Sequence, residues 1–505
     1  MTCSAIRSAG IALCLVTIPL SSLVAASDIP PPSVADAATS ADSVMASSEA
    51  TGVFGGEEIK YLATLEKTSV HADTEGKGAS IVSISYSALG VEAPNERPVL
   101  FVFNGGPISA SYPLHIGATG THRVAFDDDI TVPADQAELA PNPYSPLNVA
   151  DIVYYDPAQT GLSTLHEGVE ESPYASVRED AALFVEFVHN WLEAHDRADA
   201  PVFMLGESYG TMRAAEAAGQ FVETYPEINL DGVFLMGQAV NMIEYAQRRQ
   251  NILSYVVSVP TLAAAAWDLE LVEKEGYSFN SFLEEATAFA DTEYLTALYE
   301  GQSLSEKRLI EISETLETYT GLSAEIYAEN NLRVSKEVYR RRILEDKNLL
   351  IGRSDMRYTA PMSEAGGRAD PSHVIGDRYA SAFATHFENL FDMPLPDDYA
   401  SLKILPGWDY NYASPFADFN YGRGISKAFE AKPDFRLVIG TGWHDSMTTA
   451  GGARYAVSQS DWPADRVKLA FYRGGHMAYS IEKSAEAFGE DIRTMIKGWD
   501  DGEED

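Results

Sequence analysis

The 505-residue chain reads as an α/β protein, with a mostly parallel central sheet and a helical cap inserted into it. Three observations predict this. Short β-rich runs that stop at turn residues alternate with amphipathic helical patterns on either side of residue 200. A Gly-x-Ser-x-Gly motif, Gly206-Glu207-Ser208-Tyr209-Gly210, is wedged between an apolar run and a helical one. From 241 to 366 the texture becomes long helical patterns rich in Ala, Leu, Glu and Tyr, with no convincing strand among them.

Taken in order, Arg7 is the only charge before Asp28; apolar residues 11–18 follow, then the small residues Val24, Ala25 and Ala26. This is the pattern of a secretory signal over residues 1–26. Its apolar run is shorter than the roughly 20 residues of a spanning helix, and no later segment is apolar enough. The expectation is an exported protein, periplasmic or extracellular, without stable membrane insertion. Both cysteines, Cys3 and Cys14, fall inside the signal, so cysteine catalysis, disulfides and zinc-thiolate sites drop out of the mature chain. Residues 27–50, Pro-rich and then Ala/Ser/Asp-rich, read as a flexible linker. The remainder divides into a first core part at 51–240, the cap at 241–366 and a second core part at 367–505.

Within the first core part, strands are expected at 80–86, 97–103 and 150–155. A helix at 178–195 places Ala181, Phe184, Phe187, Val188, Trp191 and Leu192 on one face. A buried strand at 200–205, a helix at 211–225 and a strand at 231–236 come next. After the cap, strands return at 435–439 and 467–472, and a closing helix is expected at 481–499. The formal net charge of −39 repels nucleic acid and anionic membrane surfaces.

In Gly-x-Ser-x-Gly between strand and helix, a tight turn exposes the serine oxygen while the glycines let neighbouring backbone come close. Ser208 is therefore the candidate nucleophile, and the fold is that of the α/β-hydrolases. A serine hydroxyl needs a base to take its proton, and the base needs an acid to fix its tautomer. The chain order of this fold is Ser, then Asp or Glu, then His. Asp445 follows the run at 435–439 and His476 the run at 467–472, both where sites of open parallel sheets lie. His444 adjoins Asp445, but adjacent loop residues usually point apart, which favours His476 as base. The backbone N–H of Tyr209, and that of Gly106 in Asn104-Gly105-Gly106-Pro107, are the candidate oxyanion donors. The other histidines lack metal-ligand spacing, and no metal or organic cofactor is implied.

The same residues resemble the serine carboxypeptidases, and are most similar to the bacterial branch. The resemblance rests on Asn104-Gly-Gly-Pro107, Asn142-Pro-Tyr-Ser145, Asp156-Pro157 with Thr160-Gly161, Gly206-Glu-Ser-Tyr-Gly210 and Gly474-Gly-His-Met477. It implies a peptide substrate with a free C-terminus, an acyl-enzyme on Ser208 and release of the C-terminal residue. Asn104 and Glu207 would then hold the substrate carboxylate, Glu207 in its protonated form, which predicts activity favouring acidic pH. Ile108 stands where the family usually has glycine, and 112–121 lacks the second acid of eukaryotic members. An esterase or acyltransferase on the same scaffold, or a non-catalytic binding protein, are the alternative readings.

Overall fold

The computed structural model describes residues 43–70, 78–130, 132–242, 246–363, 370–410 and 420–499. The expected signal, its two cysteines and residues 27–42 of the expected linker lie outside this set. Residues 43–50 depart from the linker expectation, because Ser43–Phe54 is a strand, β1. It pairs antiparallel with β2, Glu57–Val70, from Ser43↔Lys67 to Phe54↔Glu57. Small side chains gave the sequence reading nothing to pack. What holds β1 is backbone pairing, closed by Phe54, whose buried ring meets Tyr61 edge-on at 5.9 Å.

The main strands then follow as β3 (Ala79–Ala88), β4 (Val99–Phe103), β5 (Asp151–Tyr155), β6 (Pro201–Glu207), β7 (Asn229–Met236), β8 (Arg436–Gly442) and β9 (Val467–Tyr472). In space they run β1-β2-β3-β5-β4-β6-β7-β8-β9. The β1-β2-β3-β5 end is antiparallel. From β5 to β9 every pairing is parallel. Parallel strands need both faces covered, and β4 and β5 are buried at every position. Alternation assigns the faces: Val99, Phe101, Phe103, Val153 and Tyr155 enter one core, Leu100, Val102, Ile152 and Tyr154 the other.

The first core is roofed by α1 (Val177–Ala194) and α2 (Tyr209–Thr224). Ser176 caps α1 by accepting the Glu179 N–H at 3.2 Å. Between β7 and β8 the chain inserts α3 (Val259–Asp268), α4 (Phe279–Phe289), α5 (Glu306–Thr320) and α6 (Lys336–Arg342), which share a core of their own. This segment also carries a two-stranded hairpin, Leu349–Ile351 with Thr359–Pro361, against the expectation of helices alone. Strands of three residues are too short to show a period of two. The second face of the sheet is covered by α7 (His373–Phe391) and α8 (Glu482–Lys497). Where α7 meets the sheet, the buried Tyr86 hydroxyl lies 2.7 Å from His115 Nε2 and 2.9 Å from His386 Nε2. No helix among the described residues is long and apolar enough to cross a membrane.

Candidate active site

Strand β6 ends at Glu207 and α2 begins at Tyr209, so Ser208 alone makes the turn, at φ +60° and ψ −127°. Positive φ at a residue with a Cβ costs on the order of 1–3 kcal/mol and persists only where its surroundings impose it. Here Ser208 N–H donates to Met236 O of β7 at 2.9 Å, and Ser208 O accepts the Thr211 N–H (2.9 Å) and hydroxyl (2.6 Å). The motif glycines are required by contact. A Cβ on Gly206 would lie 2.4 Å from Gly210 O, and one on Gly210 would lie 3.0 Å from Asn104 O.

Asp445 and His476 follow the next strands but one, β8 and β9. His476 Nδ1 lies 2.6 Å from Asp445 Oδ2. The buried carboxylate also accepts the N–H groups of Met447 (2.7 Å) and Thr448 (3.2 Å) and the Thr448 hydroxyl (2.5 Å). Burial works against the imidazolium, yet Asp445, Glu207 and Asp370 outweigh it and hold the His476 pKa up at about 9. His476 Nε2 is 4.0 Å from Glu207 Oε1, and no hydrogen bond joins it to Ser208 Oγ among the described residues. His444 is turned away: its Nε2 lies 2.9 Å from Asp268 Oδ2, and its backbone N–H donates to Gly474 O at 2.8 Å.

A serine elbow and an Asp–His pair on consecutive parallel strands suit many hydrolases, so the family must come from the sequence around them. The model of the serine carboxypeptidase family matches residues 86–356, just over half of the chain. The chain belongs to that family.

The match includes Ser208 and ends before Asp445 and His476. Among solved structures the chain is similar to Kex1(delta)p, a prohormone-processing carboxypeptidase from Saccharomyces cerevisiae, with 12% identity and a TM-score of 0.49 over 86% of this chain and 91% of that one. It is also similar to a proline iminopeptidase from Mycobacterium smegmatis, with 14% identity and a TM-score of 0.35 over 85% and 97%. No curated protein matches the sequence.

In this serine carboxypeptidase the Asn104–Pro107 loop leaves β4 and lies directly on the elbow: a Cβ on Gly105 would be 2.5 Å from Tyr209 N. Three of its four carbonyls, those of Asn104, Gly105 and Pro107, are engaged. Arg213 donates to Asn104 O (2.9 Å) and Pro107 O (3.0 Å), and Ser109 donates its N–H to Gly105 O at 3.0 Å. With those carbonyls held, the N–H of Gly106 and the orphan N–H of Tyr209 at the helix start are left without an acceptor among the described residues. Arg213 is itself fully buried and paired with Asp180 Oδ2 at 2.8 Å, which also accepts the Tyr209 hydroxyl at 3.0 Å. Ile108 is buried, and its backbone pairs with Lys403.

Glu207 and Asn104 are brought together, both buried beside the elbow. Burial pushes the Glu207 pKa up to about 7, opposed by His476, the Tyr479 hydroxyl and the Asn104 side chain. Tyr479 donates to Glu207 Oε2 at 2.6 Å, and Asn104 Oδ1 accepts the Leu114 N–H at 3.1 Å. A neutral carboxyl at that place is a hydrogen-bond donor, which an ionised one is not.

Several contributors escaped the sequence reading. Tyr479 sits three residues after His476 with nothing to mark it. The run Gly352-Arg-Ser-Asp355 resembles the family in sequence, but its role did not show there: it braces the His476 loop, Ser354 O accepting the His476 N–H at 2.6 Å and Asp355 Oδ2 the Gly475 N–H at 3.0 Å. Gly237, at φ +59°, lets β7 pass close to the ring, since a Cβ there would lie 3.2 Å from His476 Cε1. Asp180 did leave a signal, as an acid four residues before Phe184 on the apolar face of its helix.

Proposed function

We propose that this serine carboxypeptidase releases C-terminal amino acids from peptides through an acyl-enzyme on Ser208. The observation that carries the reading is the 2.6 Å contact between His476 Nδ1 and Asp445 Oδ2 on the strands beyond the Ser208 elbow. In the first half-reaction Ser208 Oγ bonds to the scissile carbonyl carbon while its proton passes to His476 Nε2. The oxyanion lies against Gly106 and Tyr209 N–H. The C–N bond then breaks, His476 hands the proton to the leaving amine, and the C-terminal amino acid departs. Water, deprotonated by the same imidazole, releases the acyl group. Asp445 fixes the ring tautomer and balances the imidazolium. Asn104 and protonated Glu207 hold the substrate carboxylate, which selects for a free C-terminus and favours acidic pH. The pattern at 1–26 supports export to the periplasm or beyond the cell, and the N-terminal sequence of the mature protein checks it: a start near residue 27 is expected.

The test pairs covalent labelling with substrate choice. A fluorophosphonate is expected to label the wild type and not Ser208→Ala. N-blocked dipeptides are expected to lose their C-terminal residue. Hydrolysis of simple esters without cleavage of any dipeptide would overturn the peptidase reading and leave an esterase.

A further inference from the structure

One cation near the triad has no part in that mechanism. Lys336 opens α6, and its backbone N–H donates to Gln247 Oε1 at 2.8 Å. The next residue, Glu337, reaches Arg353 at 3.0 Å. The Arg353 carbonyl accepts the N–H (3.2 Å) and hydroxyl (2.8 Å) of Ser446, the neighbour of Asp445. These links set Lys336 against the Asp445 side of the cleft, and Asp445 is the charge that acts on its ammonium. Asp445 is hydrogen-bonded by His476, Met447 and Thr448 and makes no direct ion pair with the lysine, attracting it only across a gap.

The Lys336 side chain is partly buried, and among the described residues no carboxylate lies within 4.0 Å of its Nζ and no hydrogen bond holds it. Lys60, Lys274, Lys403, Lys427 and Lys468 each lie within 3.0 Å of a carboxylate, while Lys67, Lys347, Lys483 and Lys497 share with Lys336 the lack of an ion pair among the described residues. In a chain with 75 acidic residues against 36 basic ones, an ammonium beside the site without a partner is set apart. Burial, against the pull of Asp445, holds its pKa down at about 8, so it is charged through neutral and acidic pH and gains from an incoming anion.

That anion is distinct from the substrate carboxylate. Asn104 and Glu207 stand at the ends of β4 and β6, whereas Lys336 is tethered beside Asp445, beyond the end of β8. β7 lies between β6 and β8, so the backbones that carry the two places are about 10 Å apart. With the C-terminal carboxylate held at Asn104 and Glu207, a second negative group that reaches Lys336 is a side chain. We infer that Lys336 is a specificity-determining residue, selecting peptides with an acidic side chain at one of the two residues flanking the scissile bond. The inference rests on the carboxypeptidase reading above.

The experiment compares kcat/KM for N-blocked Phe-Leu, Glu-Leu and Phe-Glu at pH 6, for the wild type, Lys336→Met, Lys336→Glu and Lys336→Arg. One glutamate-containing substrate is expected to exceed Phe-Leu by about tenfold in the wild type, the size of a charge-assisted contact. The ratio should fall to near one in Lys336→Met, reverse in Lys336→Glu and be kept by Lys336→Arg. Cleavage of all three dipeptides without charge discrimination would overturn this inference alone, whereas ester hydrolysis with no dipeptide cleavage would remove the peptidase reading and the inference with it. Calorimetry on Ser208→Ala gives an arm free of turnover: N-blocked glutamate should bind more tightly than N-blocked glutamine, and equal binding overturns the proposal.

Discussion

Acid should weaken this fold in the range where its chemistry is expected to improve, and the Tyr86 cluster sets the size of the effect. The Tyr86 hydroxyl sits between His115 Nε2 and His386 Nε2. A hydroxyl can donate to one ring and accept from the other only if at least one ring stays neutral. Burial first, and then the neighbouring His122, depress the His386 pKa to about 3. His115 is lowered well below its usual value by burial, His386 and His122. Because both folded values lie below the unfolded value near 6.5, the unfolded chain binds more protons in acid. For His386 the stabilisation is complete above pH 6.5 and declines as pH falls toward 3, by about 1.4 kcal/mol per unit. From pH 6.5 to 4.5 His386 alone therefore costs about 3 kcal/mol, a large share of a typical 5–15 kcal/mol, and His115 acts in the same direction. Urea denaturation at pH 7, 5.5 and 4.5, on the wild type and His386→Phe, measures this. The variant keeps the Tyr86–His115 contact, and its stability should fall less steeply by about 1.4 kcal/mol per pH unit. Equal slopes for the two proteins would refute the argument.

Glu207→Gln should abolish the loss of dipeptide kcat/KM as pH rises through about 7, because the group that ionises there is gone. A profile that still falls there would assign the limb to another residue. Arg213→Met leaves Asp180 buried and unpaired and removes the donors to Asn104 O and Pro107 O. Denaturation should show a loss of about 3–5 kcal/mol, and whatever folds should lose about 100-fold in kcat. In Gly237→Ala the new Cβ would meet Thr448 Oγ1 at 2.8 Å and the His476 ring at 3.2 Å. Displacing that ring should lower kcat by about 100-fold with little change in KM, which steady-state kinetics on an N-blocked dipeptide checks.

The parallel half of the sheet was legible because β4, β5, β6 and β7 are buried on both faces and show as continuous apolar runs broken at turns. So was the elbow, where motif and periodicity agree. The residues that build the site from a distance were not. Asp180 and Arg213 are separate in sequence, and only the packing of α1 on α2 makes them a pair under the Asn104–Pro107 loop. β1 was missed because Ala46-Ser47-Ser48 and its neighbours pair by backbone, which composition does not record. Lys336 looked like one more charge on a helical cap; its lack of a partner is a property of its surroundings, invisible until α6 is placed beside Asp445.

The order in which the proposed triad is encoded has a consequence for synthesis. Ser208 lies before the inserted helices, Asp445 and His476 after them, on the last two strands added to the sheet. Their loops interlock so closely that a Cβ on Gly442 would lie 2.0 Å from Gly475 O, so the later pair forms as one piece. A chain emerging from the ribosome folds its N-terminal part first and carries a serine with no base opposite it until β8 and β9 dock. On the proposed triad, the peptidase gains its base only when the last two strands of the sheet are in place.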